Sequence, residues 1–211
     1  MRKLFGVLAL AVMALLGSGL AKSHGASVIG MPGGRNVLEF VGQVNNTPTT
    51  SQQFGYLSNI EGLSSIFSSS TPQNESTALF TFVTNATTDR VISDGPLRII
   101  NRTGTTTIYF NSTASNFSNP ASFSQGTPIQ VSTYRQQVIV NTTTNAFVTV
   151  HMNTITQTDQ FTLNGQLYQL GFRGKSFRTA YSGQSNAPGL APSGWFAGYA
   201  VGVASPDQEQ E

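Results

Sequence analysis

Residues 128–141 read PIQVSTYRQQVIVN and residues 146–159 read AFVTVHMNTITQTD, with only Thr142-Thr143-Thr144-Asn145 between them. Each run is about 14 residues long, against roughly 5–6 for an ordinary strand. In the second run Val148, Val150 and Met152 alternate with Thr149, His151 and Asn153. A period of two marks a strand whose faces differ. Two long neighbouring strands joined by a short polar loop are what barrels and strongly twisted sheets use.

The surrounding sequence repeats this pattern. Residues 37–44 alternate, with Leu38, Phe40 and Val44 against Glu39 and Gln43. Residues 53–59 (QFGYLSN) read as a second strand, and residues 61–67 (EGLSSIF) as one short helical turn. Residues 76–84 form the most apolar strand, carrying Ala78, Phe80 and Phe82. Residues 97–102 and 105–110 suggest a hairpin turning at Thr103-Gly104, where glycine supplies a positive φ. Asn164-Gly165 is a strong hairpin signal. The last strand, residues 195–204, has Trp195, Ala197, Tyr199 and Val201 on one face and Phe196, Gly198, Ala200 and Gly202 on the other. Residues 111–126 (NSTASNFSNPASFSQG) are the longest irregular stretch, and a connection of that length invites a functional question.

These signals predict an all-β chain: a single antiparallel β-barrel, lipocalin-like or cyclase-like, of about 8–10 strands. A two-sheet β-sandwich is the alternative. The barrel is preferred because the connections are local and closure removes edges that few Lys and Glu guard.

Only 9% of the 211 residues are charged, and Ser plus Thr supply 48 positions. The chain has no cysteine, so it has neither a disulfide framework nor a thiolate metal site. Residues 1–21 (MRKLFGVLALAVMALLGSGLA) carry Arg2 and Lys3, then an apolar run, then small residues at Gly19 and Ala21. That is the secretory signal pattern with cleavage after Ala21. It predicts a secreted or periplasmic protein, and the Lys/Arg-led leader fits a bacterium. Residues 22–35 then read as a flexible lead-in, residues 36–204 as one β domain and residues 205–211 as a disordered acidic tail. Without Arg2 and Lys3, nine cations face nine acids, so no global field favours nucleic acid or an anionic membrane. No later segment is long and apolar enough for a transmembrane helix. An outer-membrane barrel is disfavoured for want of an apolar band and aromatic girdles.

Chemistry-bearing residues are few. A conventional multi-histidine zinc site cannot be built from His24 and His151, and no metal or cofactor is expected. The catalytic candidates are Glu75, placed where it could enter a barrel mouth, and His151. The expected ligand wall is Phe80, Phe82, Tyr134 and Trp195. Arg173, Lys175 and Arg178 make the one basic cluster and read as a solvated hairpin around Gly174. Seven Asn-x-Ser/Thr sites, among them Asn45, Asn101 and Asn116, reflect composition. The leading expectation is a protein that binds a small neutral or apolar ligand. A barrel enzyme of cyclase, isomerase or hydrolase type with few catalytic residues is the first alternative, and a structural or adhesive surface protein the second.

Overall fold

A computed structural model describes residues 25–203. The leader read at 1–21 and the tail at 205–211 lie outside the described residues.

Eight strands close into an antiparallel barrel, so the sandwich alternative is set aside. They are β2 (Asn36–Asn46), β3 (Thr50–Ile60), β4 (Phe80–Asp94), β5 (Leu97–Phe110), β6 (Thr127–Asn141), β7 (Ala146–Thr158), β10 (Ser176–Ser185) and β11 (Gly194–Gly202). Their order around the barrel is β10-β11-β2-β3-β4-β5-β6-β7, and β7 pairs β10 to close it. A second sheet of β1 (Ser27–Ile29), β9 (Gln166–Leu170) and β8 (Gln160–Leu163) packs at one end. There Phe161 meets Phe80 at 5.4 Å and Phe110 at 5.5 Å, and Leu170 is wholly buried. The Gln130 amide donates to the Leu170 carbonyl at 2.9 Å. Thus β1, inside the segment read as a lead-in, belongs to this cover. We call it the covered end and the opposite one the open end.

The Asn164-Gly165 turn forms as read, with φ of 51° and 78°. The hairpin expected at Thr103-Gly104 does not. Strand β5 runs unbroken through both residues, and the β4–β5 turn falls at Gly95, with φ of 55°, directly after Asp94. Gly104 serves a different need. It sits directly across from Tyr134, and a methyl group added there would collide with the Asn85 carbonyl oxygen and stand 2.7 Å from the Tyr134 hydroxyl. Space, not backbone freedom, explains this glycine. The same pairing recurs inside the barrel. Gly42 is the cross-strand neighbour of Phe196 and Gly55 of Phe82, and a methyl group at Gly183 would stand 2.5 Å from the Phe147 ring. Small residues thus leave room for the large rings that fill a narrow barrel.

Residues 61–67 form a turn and a bridge from Phe67 to Ala78, not a helical turn. The segment preceding β6 folds back over the outer faces of β3 and β4. It contains a short 3-10 turn, Pro120–Ser124, and buries Phe123 against Phe54 at 5.4 Å. The Thr81 hydroxyl donates to the Phe123 carbonyl at 2.7 Å.

Strand β7 inverts the usual polarity. Thr149, His151 and Asn153 point into the barrel and are buried, while Val148 and Val150 on the outside are 53% and 45% exposed. No helix among the described residues is long and apolar enough to cross a membrane. The outer faces of β4, β5 and β6 expose Asn85, Thr103, Thr105, Thr133, Arg135 and Gln137.

Candidate functional site

The barrel interior holds a polar network among aromatic rings. Tyr181 is its hub. Its hydroxyl donates to Gln53 Oε1 at 2.9 Å and accepts from Gln136 Nε2 at 2.7 Å. His151 Nε2 lies 3.1 Å from the same oxygen. Since the Tyr181 proton goes to Gln53, His151 must carry its proton on Nε2 and donate. The His151 ring stacks on Tyr134, with centroids 4.4 Å apart and planes 12° from parallel. Asn153 Nδ2 donates to Thr179 Oγ1 at 2.8 Å, which extends the network along β7 and β10.

Burial sets the electrostatics of this layer. It pushes the His151 pKa down to about 3, with the nearby Arg102 guanidinium as a second cause. Burial likewise raises the phenols of Tyr134 and Tyr181 above their ordinary range. His151 is therefore neutral at pH 7 and a weak base, far from the matched pKa that general-base catalysis wants.

The lumen is nearly full. Two voids flank the Tyr181 layer, one of about 50 Å³ toward the covered end and one of about 40 Å³ toward the open end. Pockets for drug-sized ligands are roughly 300–1,000 Å³. The four residues expected to form a ligand wall do not share a cavity. Phe80 is fully buried at the covered end. Phe82 packs edge-on against Phe40 at 5.8 Å, and Tyr134 covers His151. Trp195 lies on the outside of β11 and is 45% exposed.

Glu75 does not enter the barrel mouth either; it sits in the loop before β4, on the outside. There the fold brings it to the same groove as Trp195, a cleft of about 490 Å³. The floor is a cross-strand row, Trp195 on β11, Gln43 on β2 and Phe54 on β3, with Asn45 two residues along β2. Phe117 from the irregular segment stands over this row, 5.1 Å from Trp195 and 6.2 Å from Phe54. Asn116 completes the near wall, while Ala191 and Pro192 form the far one.

Both walls are held by hydrogen bonds. Asn111, 1% exposed, donates to Ser115 Oγ at 3.2 Å and the Ser122 carbonyl at 3.3 Å. Opposite, the Asn46 backbone N–H donates to Ser193 Oγ at 2.9 Å, and the Ser193 backbone N–H to the Val44 carbonyl at 2.7 Å. In the groove, Asn45 Oδ1 is buried without a hydrogen-bond partner among the described residues, and Gln43 is 4% exposed. The Tyr56 phenol is raised by burial and then by the Glu75 carboxylate, which places that acid beside the aromatic cluster.

Sequence reasoning named Glu75 for a barrel mouth and Trp195 for a ligand wall; both line this outer groove instead, with Gln43 and Phe117, and with Asn45 and Asn116, which the sequence marked only as Asn-x-Ser/Thr sites. The available signal was Phe117 and Phe123 within an otherwise polar irregular stretch. Arg173, Lys175 and Arg178 are exposed, and Gly174 turns the chain between them at a φ of 84°. Among the described residues no group of three or more His, Asp or Glu is placed to hold a metal ion. No protein-family model matches the chain, and neither a curated protein nor a solved structure matches it.

Proposed function

We propose that this is a binding protein whose outer groove holds a small neutral polyhydroxylated ligand, a saccharide. The observation that carries the reading is the solvent-open Trp195 ring set among Gln43, Asn45, Asn116 and Glu75 in one cleft. A sugar ring offers an apolar C–H face to an aromatic plane and a rim of hydroxyls to amides and carboxylates. Tryptophan combines large apolar area with low rotamer cost, and side-chain amides both donate and accept. Among the described residues no cation lines the groove, which disfavours anionic ligands. Glycoside hydrolysis ordinarily needs two carboxyl groups across the bond, and Glu75 is the one acid in the lining among the described residues. The reading is therefore binding without hydrolysis. Export by the leader at 1–21 belongs to the same proposal. A purely structural role is the second reading, favoured by the nearly filled lumen.

Calorimetric titration with cellobiose, maltose and N,N′-diacetylchitobiose tests the proposal. At least one should bind saturably. Trp195→Ala should weaken that binding more than tenfold, about 1.5 kcal/mol or more, while losing the Phe117 contact lowers the melting temperature by only a few degrees and leaves the variant folded. No binding by any of the three, or equal binding by the variant, would reject the saccharide reading and leave the structural one.

A further inference from the structure

The open end of the barrel carries a feature that the groove does not use. Arg102, on the inward face of β5, is 6% exposed. Its Nε donates to Thr88 Oγ1 at 3.4 Å and its Nη2 to Asn46 Oδ1 at 3.2 Å. It forms no salt bridge; Arg35–Glu61 is the one ion pair among the described residues. Buried charges in proteins are ordinarily paired. Burial lowers the Arg102 pKa; Tyr181 and Tyr134 oppose that shift and neighbouring Arg98 adds to it. Arg98 lies four residues earlier in β5, with buried Ile100 between them.

The surroundings suit an anion with a short apolar body. The void of about 40 Å³ beside Arg102 has apolar walls from Val44, Ile100, Val138, Val140, Phe147 and Phe196, and the polar Tyr181 layer, with Gln53, Gln136 and Thr149, lines it as well. Exposed Asn46 and half-buried Ser185 frame its outer side. The Tyr134 hydroxyl, buried over Gly104 two residues along β5 and outside this void, has no hydrogen-bond partner among the described residues. A guanidinium offers five donors in a planar fork matched to a carboxylate, and two protein oxygens occupy only part of that fork. Charge-assisted bonds of this kind are the strong ones.

We infer that the open end of the barrel binds a small monocarboxylate, its head on Arg102 and its short aliphatic body in the adjoining void. This site is separate from the outer groove and does not depend on what the groove holds.

The test is an NMR titration of the full chain, following the Arg102 Nε–Hε resonance. Sodium butyrate is the probe, with 1-butanol and sodium chloride as controls at equal concentration. The expected result is a saturable shift with butyrate, half-complete below about 5 mM, with less than a tenth of that response from either control. Arg102→Gln should lose the butyrate response elsewhere around the void while keeping saccharide binding in the groove. If that variant does not fold, the wild-type titration decides. A shift with chloride equal to that with butyrate, an equal shift with butanol, or no saturable shift up to 20 mM butyrate would overturn the assignment. Failure here with intact saccharide binding would remove this site alone.

Discussion

Acidifying the protein from pH 7 to pH 4 is expected to destabilise it by about 3 kcal/mol through His151 alone. The folded pKa is depressed to about 3, whereas an unfolded histidine titrates near 6.5. Between those values the unfolded chain binds a proton that the native barrel refuses. The contribution is therefore complete above about pH 6.5 and declines as pH falls toward 3, by about 1.4 kcal/mol per pH unit. Thermal unfolding at pH 7, 5.5 and 4 should show a melting temperature falling by roughly 10 °C in total. His151→Gln should flatten most of that dependence. A profile as steep in the variant as in the wild type would show that His151 is not the buried neutral group described.

Replacing Tyr181 by phenylalanine is expected to cost about 3 kcal/mol. The ring packs at 4.7 Å from Phe196 and would stay, so only the hydroxyl is lost. That oxygen serves Gln53, Gln136 and His151 together. Removing one partner from a buried hydrogen bond costs about 1–3 kcal/mol for the group left unsatisfied. Among the described residues the Gln136 Oε1 atom already lacks a partner, so the side chain has no second bond there to fall back on. Urea unfolding should show a lower midpoint with an unchanged slope. A loss below 1 kcal/mol would mean that the lumen relaxes or admits water to replace the hydroxyl.

The barrel was legible where local chemistry and global fold ask for the same pattern. The β6–β7 pair announces itself through length and alternation, and Asn164-Gly165 through its positive φ preference. Gly104 was misread because a glycine has two uses. At 95 it turns the chain after Asp94, whereas at 104 it makes room for Tyr134. Alternation also gives two faces without saying which one is inside. On β7 the valines face outward and Thr149, His151 and Asn153 face inward, against the ordinary hydrophobic rule. The direction was fixed by neighbours distant in sequence, Tyr181 and Tyr134 above all.

The groove was less legible for a related reason. Trp195 and Glu75 are separated by 120 positions and carried by elements with no common period. They meet because the segment that folds back over β3 and β4 carries Phe117 to Trp195, and because Ser193 ties the loop before β11 to Val44. Neither event leaves a periodic trace. The lumen, where a ligand wall was expected, proves to be core: Phe80, Phe82 and Tyr134 each pack against another ring.

Trp195 is the one tryptophan in the chain, so its emission reports on the groove alone. Titrating the protein with the disaccharide that binds most tightly by calorimetry, while following tryptophan fluorescence, tests directly whether the ligand sits there. The account predicts a saturable change in intensity or wavelength with the calorimetric affinity, since the sugar replaces water on a ring that is half exposed. Calorimetric binding with unchanged tryptophan emission would contradict it and place the ligand elsewhere on the barrel.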